Sequence, residues 1–231
     1  MENTQALLPQ VPLSIRRSKR KTVSIYVERD GTVSVLAPET MTEEALEAII
    51  EKQAYNIYKN LAQWKQLNDS RIEREYVSGQ SFLYLGRNYR LKLTEEHTGD
   101  LCLKNGYFLL SKKLEHKAKE QFIAFYKEKV LPRITERIAY FKQKMNVEPQ
   151  DIRVMELQHR WASCNEKGNL NFHWKCAMAP LEVLDYIIVH ELSHLKHLNH
   201  SPAFWNEIDK ILPNYGQQVE WLKNYGARMD L

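Results

Sequence analysis

The chain has 231 residues, 43% hydrophobic and 27% charged, with only 8 Gly and 8 Pro. That composition suits one large domain or two small ones with a real core, and excludes disorder across the body of the protein. Three cysteines (Cys102, Cys164 and Cys176), with no C-x-x-C pair, exclude a disulfide framework and fit a reducing compartment. A net charge of +4 permits an anionic partner without demanding one.

The opening residues have no apolar signal core, and no run approaches the roughly 20 apolar residues that span a bilayer. A soluble, cytoplasmic protein with no membrane partner is expected.

Along the chain, Val23, Ile25 and Val27 alternate with polar residues, Asp30-Gly31 supplies a turn, and Val33 and Val35 alternate again. This predicts a hairpin over residues 22–37. Thr42 reads as an N-cap for a helix to about Leu67, with Leu46, Ile49, Ile50, Ile57, Leu61 and Trp64 at helical spacing. Residues 76–111 return to short apolar runs between glycine turns, of which Asn105-Gly106 is a strong hairpin signal. From about Glu115 to Met145 the pattern is helical, and Pro132 is expected to kink or split it near Val130. Residues 151–158 and 168–175 read as two strands joined by a turn around Asn165–Gly168. Pro180 opens a helix to about His197, Ser201-Pro202 a short one to about Leu212, and a last helix spans about Tyr215 to Tyr225. The expected division is a strand-rich region, 1–112, with one long helix, then a helical region, 113–231, carrying an antiparallel strand pair.

The string His190-Glu191-Leu192-Ser193-His194 carries the chemistry. Residues four apart on a helix share one face about 6 Å apart, so two imidazoles there can grip one cation. The glutamate between them lies where a general base for a metal-activated water belongs. Ile187, Ile188 and Val189 before the motif make the helix mostly buried, where unpaired histidines and a carboxylate would be costly. A catalytic zinc, one per chain, needs a third protein ligand and an open position. His197 would extend the row along the helix, too far from His190 to complete a tetrahedron. Asn199 tolerates a left-handed helix end, so His200 falls in the corner before the next helix and is the preferred third ligand. Glu207 and Glu220 are the rivals if the third ligand is a carboxylate.

These residues, with Asn199-His200-Ser201 and Phe204-Trp205, resemble the YgjP-like family of zinc metallohydrolases, which is similar to the SprT- and WLM-type metallopeptidases. Arg160-Trp161-Ala162-Ser163-Cys164, Gly168-Asn169-Leu170-Asn171 and Ala179-Pro180 look like the same family's strands before the active helix. The stretch from Arg16 to Arg20 resembles its amino-terminal start. Two positions depart from the pattern: Ala162 stands where glycine is expected, and His159 where a small hydroxyl residue is usual. The resemblance implies an α+β, zincin-like fold with His190, His194 and His200 on the metal and Glu191 as base. It also implies hydrolysis of a peptide bond in a polypeptide substrate.

Two other functions compete. A metal-dependent hydrolase of nucleotide phosphoanhydrides would use Arg160 or the basic cluster to hold phosphates. A nucleic-acid-binding or adaptor module with a structural metal is disfavoured, since structural zinc fills all four positions and gives Glu191 no role. Arg160 and Trp161 are candidate substrate contacts, on a strand whose edge could hold an extended peptide. Arg16, Arg17, Lys19, Arg20 and Lys21 form the dense basic cluster; without interleaved aromatics, a solvated strand edge is favoured over nucleic acid. Tyr215 and Tyr225 could supply an oxyanion-stabilising hydroxyl, though core packing is the commoner use.

Overall fold

The computed structural model describes residues 11–27, 32–68, 74–157 and 160–231, which divide into two compact units, Met1–Arg71 and Ile72–Leu231. In the first, β3 (Val33–Pro38) is the centre of a three-stranded sheet. β2 (Ser24–Val27) pairs with it antiparallel, the hairpin expected, with the Asp30-Gly31 turn outside the described residues. β1 (Leu13–Ser18) pairs parallel on its other side. Strand alternation turns Val33, Val35 and Ala37 onto α1 (Glu43–Asn68), where they bury Leu46, Ile50 and Ile57. The Thr42 hydroxyl accepts the Ala45 N–H at 3.3 Å, the cap its sequence position announced. The side chain of Trp64 lies outside the described ones.

The basic cluster is partly spoken for. Arg17 donates to the carbonyl of Met41 at 2.6 Å and to Glu43 at 2.7 Å, closing the turn into α1. Arg20 donates to the Ser24 hydroxyl at 2.6 Å.

In the second unit, β4 (Ser81–Tyr84), β5 (Arg87–Thr94), β6 (Cys102–Lys104) and β7 (Tyr107–Ser111) form a sheet in the order β4-β5-β7-β6. Asn105 and Gly106 both take positive φ in the β6–β7 turn. The sheet packs Phe82 and Phe108 against Phe122 of α2 (Ala118–Met145), with ring centroids 4.1 and 5.0 Å away. The strands between Ser81 and Ser111 therefore share a core with α2; the division of the chain by compactness falls at Arg71/Ile72, where the sequence reading set it at 112/113. Pro132 does not split α2, which runs unbroken for 28 residues. Both the ring and Glu128, whose carbonyl loses its partner, face solvent, while Val130, Ile134 and Ile138 are buried on the opposite face.

Three strands, not two, follow: β8 (Asp151–Met155), β9 (Ala162–Cys164) and β10 (Asn169–His173), in the order β8-β10-β9. The Asn165–Gly168 turn joins β9 to β10, while β8 pairs parallel to β10. β9 is thus an edge strand. Next come α3 (Leu181–Ser193), α4 (Pro202–Ile211) and α5 (Tyr215–Tyr225). Two contacts fix the start of α3. Arg137 of α2 makes a bidentate pair with Asp185, at 2.6 and 2.7 Å. Gly86, with φ of +76°, lies so close to Pro180 that an added Cβ would sit 2.8 Å from its ring, so only glycine fits that turn.

The architecture is α+β, with the helix bearing the histidines packed beside a small sheet. Among the described residues, no helix is long and apolar enough to cross a membrane.

Candidate metal centre

His190, Glu191 and His194 lie at the end of α3, where helical spacing brings the two imidazoles to a centroid distance of 5.1 Å. The helix ends at Ser193, four residues before the expected His197. Asn199 does not adopt the left-handed conformation that was to end it; Leu85, Asn105 and Asn146 are the non-glycine residues described with positive φ. Instead the amides of His194, Leu195 and Lys196 each bond the carbonyl three residues back, tightening the last turn. The chain then returns His200 across the face of α3. Its Nε2 lies 3.1 Å from Nε2 of His190, and one ligating atom from each of His190, His194 and His200 falls within 4.8 Å of the others.

The ring orientations are set from behind. Nδ1 of His194 meets the carbonyl of His197 at 3.1 Å, which places the proton on Nδ1 and leaves Nε2 free to bind. Nδ1 of His190 faces the Tyr186 hydroxyl at 3.5 Å. Phe204, fully buried near the start of α4, backs all three imidazoles, with centroid distances of 4.9, 4.7 and 4.7 Å to His190, His194 and His200.

Glu191 is buried. The backbone N–H of Cys164 in β9 faces its carboxylate, while Oε2 has no hydrogen-bond partner. Burial pushes its pKa up to about 8, against the opposing pull of the Arg160 charge and the Cys164 N–H. Burial, then the neighbouring rings of His194 and His200, pushes His190 down to about 3, and burial lowers His194 as well. Nitrogens that resist protonation and an orphaned carboxylate oxygen are the complement of a divalent cation with its water. The residues present fit a metal.

The rival carboxylates are elsewhere. Glu207 is engaged by Lys196 and Lys210, which hold it below the usual carboxylate range, and Glu220 is exposed on α5. Arg160 is exposed. Trp161 is packed instead: its ring limits Gly226, where an added Cβ would stand 3.0 Å away, and its carbonyl accepts the His173 N–H. His159 lies outside the described residues. Tyr215 stacks between Tyr186 and Trp205, and Tyr225 lies beside Trp221, half-exposed. Sequence reasoning missed Tyr186 and the Cys164 N–H, and named Phe204 only as part of the family motif, without its place behind the imidazoles. Tyr186 was findable, one turn before His190 on the same face; the other two depend on tertiary contacts.

The sequence matches the YgjP-like metallopeptidase domain over residues 21–225. The chain belongs to this family. It is accordingly a metallohydrolase, and the family implies a catalytic divalent metal, for which the His190, His194 and His200 cluster has suitable geometry. Two solved structures are similar in part. The metallopeptidase zymogen abylysin of Pyrococcus abyssi is 22% identical, over 41% of this chain and 96% of that one, at a TM-score of 0.39. The metallopeptidase zymogen jannalysin of Methanocaldococcus jannaschii is 27% identical, over 38% of this chain and 89% of that one, at a TM-score of 0.34. No curated protein gives a significant match.

Proposed function

We propose that this YgjP-like protein is a zinc-dependent peptidase in which His190, His194 and His200 hold one zinc ion and Glu191 is the general base. The observation that carries the reading is the convergence of three imidazoles beside a buried glutamate with one oxygen unpartnered. An all-nitrogen set of three ligands suits zinc and leaves a coordination position for chemistry. When bound, the ion supplies Lewis acidity, polarising the scissile bond and acidifying a water. Glu191 Oε2 accepts the proton from that water, and the Cys164 N–H keeps the carboxylate turned toward it. The positive charge of a bound ion opposes the burial that raises Glu191, bringing it toward the ionised form a base requires.

A peptide is the favoured substrate because of β9. In an antiparallel ladder alternate residues turn their backbone groups outward. With Trp161 and Asn165 bonded inward to His173 and Asn169, Ala162 and Cys164 face the open edge. Glu191 faces one of these groups, and an extended peptide can pair with the others. The test is a screen of zinc-loaded protein on unfolded polypeptides and on nucleoside triphosphates, with Glu191→Gln as the blank. Glu191-dependent cleavage of polypeptide is expected. Turnover of triphosphates alone would move the assignment to phosphoanhydride hydrolysis.

A further inference from the structure

The third imidazole stands on the least supported piece of chain in the site. His200 is exposed and belongs to the segment between α3 and α4, outside any helix or strand. A ligand on such a segment binds tightly only if something other than its own backbone fixes its ring. A stack of aromatic rings lies in position to do this. Trp205 of α4 lies against His200, centroids 5.6 Å apart and planes 28° apart. Tyr215, the first residue of α5, lies on Trp205 at 5.7 Å and 13°. Tyr186 of α3 lies on Tyr215 at 6.1 Å and 7°. The Tyr186 hydroxyl then reaches Nδ1 of His190, whose Nε2 faces His200. The series begins on one imidazole, crosses three helices and ends on another.

We propose that Trp205, Tyr215 and Tyr186 are positioning residues for the metal, a three-ring brace that holds His200 against α3 and orients His190 through its Nδ1. This rests on the reading of the three histidines as the metal site. Trp205 and Tyr215 are only half-buried, so apolar burial alone does not account for three near-parallel rings. Offset stacking fixes a ring's plane as well as its place, which is what a nitrogen lone pair aimed at a cation requires. The brace also assigns different duties to the two tyrosines. Tyr215 contributes its ring face, whereas Tyr186 contributes a ring face and a hydroxyl.

The test is zinc affinity by competition with a chromophoric chelator, together with the visible absorption of the cobalt-substituted protein, which reports coordination directly. Trp205→Ala is expected to weaken zinc binding by about 10- to 100-fold and to change the cobalt spectrum. Trp205→Phe keeps an aromatic ring and is expected to recover part of that loss. Tyr215→Phe is expected to match wild type, whereas Tyr215→Ala and Tyr186→Phe each weaken binding. In a His200→Ala background, Trp205→Ala is expected to cause a clearly smaller further loss, because its stacked imidazole is gone and only the branch through Tyr215 and Tyr186 to His190 remains. Equal losses in both backgrounds, or Trp205→Ala within twofold of wild type with an unaltered cobalt spectrum, would overturn the brace. Undiminished affinity in His200→Ala alone would instead overturn the metal-site assignment beneath it.

Discussion

Glu191 sits where its own charge is disfavoured, and that gives two separable predictions. Glu191→Gln removes only the base, so it is expected to keep about one zinc per chain while losing hydrolysis by several orders of magnitude. Loss of the metal together with activity would contradict the role. The second concerns protein stripped of metal. Burial raises the folded-state pKa from 4.5 to about 8, so between those values the folded state holds a proton that the unfolded chain has released. Stability therefore falls as pH rises through that window. Metal-free Glu191→Gln should melt higher than metal-free wild type at pH 8, and the difference should vanish by pH 4.5. A variant that melts lower at pH 8 would mean that Glu191 is better solvated than its burial indicates. For the third ligand, His200→Ala is expected to lose most of the zinc affinity. His197 contributes only its carbonyl to His194, and Glu207 is paired with lysines, so His197→Ala and Glu207→Gln should lose little. Elemental analysis of the three variants decides this; metal lost from Glu207→Gln but retained by His200→Ala would reverse the assignment.

At the scale of elements, α3 lies in the apolar core, and one polar contact pins it to α2. The Arg137–Asp185 pair is mostly buried, and Arg137 also lies over the rings of Tyr140 and Phe141. Removing one partner leaves an unpaired charge, so Arg137→Met should destabilise by roughly 3 kcal/mol in denaturant melts. Arg137→Met with Asp185→Leu should recover most of it; equal instability of the double variant would mean the arginine acts by packing alone. In the first unit, Arg17→Ala should lose roughly 1–2 kcal/mol through its bonds to Met41 and Glu43, while Lys19→Ala and Lys21→Ala should be close to neutral.

Local signals were readable in the sequence because their physics is local: the Thr42 cap, the Asn105-Gly106 turn, the limits of α4 and α5, and the four-residue spacing of His190 and His194. The pairings β1–β3, β5–β7 and β8–β10 are parallel and join strands distant in sequence, so no turn announces them. The convergence of His200 was legible, but the device was not. The chain turns by tightening after Ser193, not through Asn199, and the choice between them lies in tertiary packing. The Cys164 N–H was invisible for a further reason: backbone groups carry no side-chain signature.

Across the whole molecule, the metal is expected to be a stability element as well as a reagent, because its ligands come from α3 and from the segment leading into α4. Binding to the folded state alone stabilises by RT ln(1 + [L]/Kd), about 2.7 kcal/mol at a zinc concentration of 100 Kd. For a chain of this size each kcal/mol moves Tm by about 2–4 °C, so chelation should lower the midpoint by roughly 5–10 °C. His200→Ala should show almost no chelator-dependent shift, which separates loss of metal from general damage. The pH dependence of the stripped protein follows from His190, whose folded pKa is lowered from 6.5 to about 3, with His194 lowered in the same sense. Between those values the unfolded chain binds protons that the folded protein refuses, so stability falls as pH drops below about 6.5 and levels off near 3. Glu191 adds the opposite slope above 4.5, so the stripped protein should be most stable between the two effects, in mildly acidic solution. Zinc at saturating concentration should restore stability at pH 7–8, where the nitrogens are free and the cation neutralises the buried carboxylate. The measurement is a grid of melting curves over pH 4–8 with zinc and with chelator. Melting curves at pH 7.5 that chelator leaves unshifted would contradict the metal as a stability element.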